Sequence, residues 1–248
     1  DTQSPECFAH AVQRLQSLGG ELCEIDFSPF IEAGALIFDS AFVAERAASY
    51  GEVLDRLPQA LVPGVAGILR RARDYTAVDA FKAQHRLLEL RHQFARQLAG
   101  IDVLVTPTVA RPFRVEEMLA SPIERNAEVG YYTYGVGPLD LCALALPAAL
   151  RPDGLPFGVS LVGQAGSDGW LRSLGRRFEA ATALPPGALL ASFQICRQAR
   201  PFGDLPANAP VAGEVAIRIK LRPPLQLQVA SFSARGPAGQ GCGERAMA

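Results

Sequence analysis

Apolar residues near the start of the chain recur at helical spacing. Phe8, Val12, Leu15 and Leu18 share one helix face, and Gly19-Gly20 can supply a left-handed end. The period then drops to two. Cys23, Ile25 and Phe27 alternate with Glu24 and Asp26, the pattern of a strand with one buried face. Ser28-Pro29 opens a second predicted helix carrying Ile31, Ala35, Phe38 and Phe42, with Glu45 and Arg46 near its end. Pro58 and Pro63 break the stretch from 49 to 76, where Val65, Ile68 and Leu69 predict a short helix. A long helix is predicted from about Ala77 to Leu98. Leu87, Leu90, Phe94 and Leu98 form its stripe, Phe81 and Leu88 widen it, and Gly100 caps it. Ile101, Val103, Leu104 and Val105 then run without a polar break to Thr106-Pro107-Thr108, as in a strand covered on both faces.

A second buried strand is predicted over Gly154-Leu155-Pro156-Phe157-Gly158-Val159-Ser160-Leu161-Val162-Gly163. Pro156 has no N–H and suits the first position of a strand. Gln164-Ala165-Gly166 turns the chain, and Ser167 or Asp168 can cap a helix bearing Leu171, Leu174 and Phe178. Before it lies Leu139–Pro147, an apolar segment ended by a proline. Alternating helix and strand units predict an α/β protein whose mixed sheet is covered by helices. The connection from Pro107 to Tyr134 is long, with a short helical piece near Glu116–Leu119. Long loops after buried strands tend to line sites, so substrate contacts are expected there.

After about Ala183, prolines at 185, 186, 201, 206, 210, 223 and 224 interrupt every pattern. Val215–Leu221 and Leu225–Val229 alternate like strands. Two regions are therefore expected: a folded domain over 1–182, and a Pro/Gly-rich linker and weakly structured tail over 183–248.

Composition narrows the function. The chain has 248 residues, 49% of them hydrophobic and 20% charged, enough for a sizeable core. A net charge of −1 gives no reason to expect nucleic acid or an anionic membrane as partner. The five cysteines are scattered without a CxxC pair, so neither a disulfide framework nor a zinc site is expected. A reducing cytoplasm is the expected location. No apolar run approaches the roughly 20 residues of a membrane helix. Asp1–Glu6 reads neither as a signal peptide nor as a natural start, more as a chain entered in mid-fold.

Candidate chemistry is sparse. His85 and His92 are two helical turns apart, roughly 10 Å, too far to share a metal ion. His10 sits on the flank of the first helix, so all three histidines read as surface or core-edge residues. Glu116-Glu117 could form an acid pair but reads better as a solvated helix start. Arg70-Arg71 and Arg176-Arg177 read as solvated helix faces. The lysines are Lys82 and Lys220, neither beside a Gly/Ser-rich sequence. Ser167 lies in the glycine-rich turn 163–169 and reads as a turn and helix cap. No Walker or Rossmann phosphate loop is present.

The runs "LDLCALALPA", "DGLPFGVSLVG" and "SDGWLRSLGRRFEA" resemble the amidase signature hydrolases, most closely the C-terminal part of the amidase domain of allophanate hydrolases of urea degradation. "LGGELCEIDFSPFIEAG", "FVAERAASY", "DAFKAQHRLLELR" and "GIDVLVTPT" resemble the same enzymes in the same order, so the likeness covers roughly residues 5 to 182. It implies a partial amidase-signature fold and hydrolysis of an amide C–N bond by serine acylation. No metal or organic cofactor is implied. For allophanate the products would be ammonia and carbon dioxide.

That family uses a serine nucleophile, a bridging serine in a cis peptide and a lysine base, all carried in its N-terminal half. A serine hydroxyl needs such a base to lose its proton, and backbone N–H groups must hold the oxyanion. Neither the lysine-bearing segment nor the Gly/Ser-rich loop occurs here. No catalytic residue is therefore assigned, and the chain alone is expected to be inactive. The alternative is a non-enzymatic remnant or interaction module. By resemblance the substrate-binding residues are Phe113, standing where a tyrosine is usual, with Tyr132 and Thr133. Glu128 occupies the position of an arginine expected to meet a substrate carboxylate, and has the wrong sign for it. Gly137-Pro138 replaces a more usual Asn-Leu. The expected partner is a small-molecule amide in the complete enzyme, with no nucleic acid and no membrane. The oligomeric state stays open, a homodimer included.

Overall fold

Helix α1 (Ser4–Ser17) begins with Pro5 in its first turn and ends where Gly19 takes a positive φ of 96°. The structure, a computed structural model, describes residues 1–182, Leu184 and the backbone of Ile217–Leu221. After α1 comes the two-residue strand β1 (Gly20–Glu21). The strand expected over residues 23–27 does not form a ladder; only an isolated bridge occurs, at Glu24. The alternation survives in burial, with Phe27 buried and Glu24 and Asp26 exposed. Among the described strands none pairs with this stretch.

Asp26 then accepts hydrogen bonds from the Ser28 N–H and hydroxyl, at 2.9 and 2.6 Å, and α2 (Ser28–Asp39) starts. Its buried face is Phe30, Ala33 and Gly34 rather than the predicted Ile31, Ala35 and Phe38. The chain bends at Ser40 into α3 (Val43–Arg56), so Glu45 and Arg46 open a new helix instead of closing the old one. Helix α4 (Pro63–Arg71) packs on α3 through Leu54, Ala66 and Leu69. Helix α5 (Ala77–Gln97) opens at Thr76, whose Oγ1 accepts the Asp79 N–H while Asp79 accepts the Thr76 N–H. Leu90, Phe94 and Leu98 are buried as predicted, but Phe81 and Leu88 face out, 62% and 51% exposed. Arg86 of α5 donates two hydrogen bonds to Glu32 of α2, at 2.5 and 2.7 Å, and clips the two helices together.

Strand β2 (Val103–Pro107) follows, and its first four residues are buried. Short helices α6 (Val115–Ala120) and α7 (Pro122–Gly130) occupy the long connection. Strands β3 (Leu141–Leu150) and β4 (Pro156–Gln164) form a hairpin, and α8 (Asp168–Thr182) covers it. Strand β3 runs past Pro147, with a register shift between Pro147 and Ala149. Proline is tolerated there because β3 lies at a sheet edge and a bulge relieves the ladder. Strand β5 (Ile217–Leu221) sits between β1 and β2. The sheet order is β1-β5-β2-β4-β3, and all of its pairings among the described residues are antiparallel. The rest of 183–248, including the expected linker and the strand predicted at Leu225–Val229, lies outside the described residues.

The sheet separates two cores. On one face α1 and α8 pack Ala11, Leu15, Leu171 and Phe178 against Val105, Leu146, Val159 and Leu161. On the other, Phe27, Phe30, Leu90 and Phe94 pack against Leu104 and Val162. Near-complete burial on both faces of β2 and β4 explains their unbroken apolar runs. A helix-covered sheet forms as expected, but where a mixed sheet was expected every pairing among the described residues is antiparallel.

Candidate functional site

The loop from Gly130 to Leu139 is held on α2 by glycines. A Cβ at Gly34 would lie 2.9 Å from the Tyr134 Cβ, and one at Gly135 would lie 2.5 Å from the Phe30 carbonyl oxygen. A Cβ at Gly130 would meet the Tyr134 ring at 1.9 Å. Backbone approaches this close need glycine. They press Tyr134 onto Phe38, ring centroids 4.6 Å apart, and its hydroxyl donates to the Asn126 carbonyl at 3.0 Å. Burial of the Tyr134 phenol pushes its pKa up.

The three predicted binding residues have different surroundings. Phe113 is half-buried, with the Arg111 guanidinium 4.0 Å above its ring. Tyr132 is buried at 6% exposure, its ring 6.1 Å from Phe27 and edge-on to Tyr131. The Thr133 hydroxyl donates to the Gly130 carbonyl at 3.2 Å. Glu128 links the two stretches: it lies 3.7 Å from Arg111 and pairs with Arg125. The position expected to carry a positive charge is thus an acid flanked by two guanidinium groups. Glu117 accepts hydrogen bonds from the Arg114 N–H at 2.9 Å and from Arg111 at 3.2 Å. The Arg114 N–H comes first in lowering its pKa, so Glu117 is an ionised helix-start residue.

A hydroxyl group cluster at the end of β2 escaped the sequence reading, which took Thr106-Pro107-Thr108 only as the end of a strand. Thr106 pairs in register with Ser160 of β4, and the Thr108 and Ser160 hydroxyls lie 3.0 Å apart. Thr106 is 1% exposed, and among the described residues its Oγ1 has no hydrogen-bond partner. Three hydroxyls at the end of otherwise apolar strands were the available signal.

Groups considered as nucleophile or base are not assembled. Ser167 donates to the Gln164 carbonyl at 2.6 Å and lies 3.2 Å from Cys142 Sγ, inside the turn before α8. Lys82 is exposed on α5, and His10, His85 and His92 are exposed on α1 and α5. Among the described residues no cluster of His, Cys, Asp or Glu could hold a metal ion. Nor is any of their helices long and apolar enough to cross a membrane.

Fold and sequence together place the chain in the Amidase family, whose model matches residues 1–171. Within it, the chain is 34% identical over 180 residues to urea amidolyase of Saccharomyces cerevisiae, covering 72% of this chain and 10% of that protein. Urea amidolyase of Lachancea kluyveri is 31% identical over 221 residues, covering 88% of this chain and 12% of that protein. Allophanate hydrolase of Kluyveromyces lactis superposes with a TM-score of 0.71 at 32% identity, over 76% of this chain and 31% of that one. An amidase crystal structure at 23% identity and a TM-score of 0.60 shares the fold. The chain spans about a tenth of the length of the urea amidolyases it matches.

Proposed function

We propose that this chain is the substrate-side portion of an amide C–N hydrolase of the allophanate hydrolase type, acting in urea degradation in the cytoplasm. The observation that supports it most is the likeness to K. lactis allophanate hydrolase, a TM-score of 0.71 at 32% identity over 76% of the chain. In this reading Phe113 and Thr133 contact substrate, and Tyr132 fixes the loop that presents Thr133. The Ser–cis-Ser–Lys machinery comes from outside these 248 residues, so the chain by itself does not turn over. Ser167 fits this, because its hydroxyl is committed to a turn carbonyl and its other polar neighbour is the Cys142 thiol.

An interaction module without turnover of its own is the second reading, favoured by the exposed apolar side chains Tyr50, Val62, Phe81 and Leu88. Ammonia release from allophanate, malonamate and simple aliphatic amides tests the first, with a fluorophosphonate serine probe in parallel. The purified chain is expected to show no release above the uncatalysed rate and no labelling. Turnover lost on Ser167→Ala would make Ser167 the nucleophile. Turnover that survives it would reveal another. Either result overturns the placement of the acylating groups outside the chain.

A further inference from the structure

Between Arg111 and Thr133, four charged side chains are less exposed than three large apolar ones. Arg111, Glu117, Arg125 and Glu128 are half-buried. Val115 and Leu119 of α6 and Ile123 of α7 are each more than half exposed. None of the hydrophobic clusters among the described residues takes a side chain from 115–130. Helices α6 and α7 pack chiefly on each other, and Gly130 is their only buried residue. Apolar burial therefore does little to seat this pair. Charge does more. The Arg111 guanidinium donates to Glu117 of α6 at 3.2 Å and lies 3.7 Å from Glu128 of α7, which also pairs with Arg125. The same guanidinium sits 4.0 Å above the Phe113 ring. One side chain thus touches both helices and the residue at their entrance. Their far end is anchored separately: Asn126 donates to the Tyr134 hydroxyl at 2.7 Å, and Thr133 to the Gly130 carbonyl.

We propose that Arg111 is a clasp for a flap formed by α6 and α7, and a positioning residue for Phe113. With the guanidinium engaged, flap and ring are fixed together. Released, α6 swings away from the anchored end of α7, and the ring loses its stacked cation. Ion pairs at half-exposed positions are screened by salt. The flap therefore opens locally as ionic strength rises, while the rest of the fold stays closed. That Phe113 meets the substrate rests on the proposed function. The clasp needs no substrate to be tested, so either can fail alone.

Native-state hydrogen exchange of the full 248-residue chain, read by NMR with isotope-labelled phenylalanine, is the test. The Met118, Ser121 and Arg125 amides, bonded to the Arg114, Glu117 and Ser121 carbonyls, report the flap, and β4 amides report the core. Raising salt from about 0.05 M to about 1 M shortens the screening length to about 3 Å and should speed the flap amides about threefold or more, with β4 unchanged. Arg111→Gln should speed them as much at low salt, leave the melting temperature unchanged and abolish the salt response. Glu128→Gln, at the far end of the clasp, should shift the Phe113 ring signals in the direction that salt shifts them. Flap amides that exchange only when β4 does, or a salt response kept in Arg111→Gln, overturn the clasp. Phe113 signals that ignore Glu128→Gln overturn its positioning by Arg111.

Discussion

Gly135 lies against the backbone of Phe30: a methyl group on it would sit 2.5 Å from the Phe30 carbonyl oxygen and 2.7 Å from the ring. The nearest obstacle is main chain in a helix turn, and the Phe30 ring beside it is fully buried, so neither can swing aside. Gly135→Ala should cost about 1–3 kcal/mol, read as a lower denaturation midpoint. Gly137→Ala has nothing within 4 Å and should be close to neutral. Equal stabilities for the two variants would mean that the loop is not seated on α2.

Val159 is fully buried between the sheet and the α1/α8 layer. Val159→Asp places a carboxyl group there with no partner, at a cost of about 3 kcal/mol or more, and should yield insoluble protein. A variant as soluble and heat-stable as the parent would show β4 to be an exposed strand.

Arg151 is buried where the β3–β4 hairpin turns. Its guanidinium donates to Asp153 at 2.9 Å and to the Ser4 hydroxyl at 2.6 Å, and lies 2.7 Å from Asp1. Its hydrogen bonds to Asp153 hold that carboxyl below its ordinary pKa. A depressed carboxyl stabilises the fold above its unfolded pKa, about 3.9, and loses that contribution as pH falls through the folded value. Parent and Asp153→Asn should therefore differ in unfolding free energy at about pH 6 and converge toward about pH 2. A constant gap across that range would rule out linkage to Asp153. Arg151→Met, which strips the cation from two carboxylates, should cost about 3–5 kcal/mol at neutral pH.

The hydroxyls at the end of β2 separate structure from function. Thr106→Val replaces a buried hydroxyl that has no partner among the described residues with a methyl of similar shape. It should be neutral or stabilising by about 1 kcal/mol. Ser160→Ala removes the bond to Thr108 and should cost about 1 kcal/mol. A Thr106→Val protein that loses 2 kcal/mol or so instead would show that the hydroxyl has a partner in the folded protein.

Much of the architecture was legible in the linear pattern, for a local reason. The α5 stripe of Leu90, Phe94 and Leu98 and the runs 103–105 and 159–162 state their own period and burial. Capping and turn chemistry are also local, so Gly19 and Ser28-Pro29 mark real boundaries. By resemblance the same residues led to the amidase family. Misreadings fell where a distant neighbour decides. Residues 23–27 alternate correctly yet make only an isolated bridge at Glu24, because a ladder needs a partner strand and periodicity does not say where one lies. Phe81 and Leu88 continue a stripe in sequence but lie beyond the layer that α2 and the sheet can cover. Phe30 rather than Ile31 became the core face of α2 because Gly34 and Gly135 let two backbones meet there. The site followed the same division. Glu128 could be read as an acid in place of an arginine from the sequence alone. Only the fold brought Arg111 and Arg125 to it, joined Thr108 to Ser160 across two strands, and made β3 the outermost of the described strands.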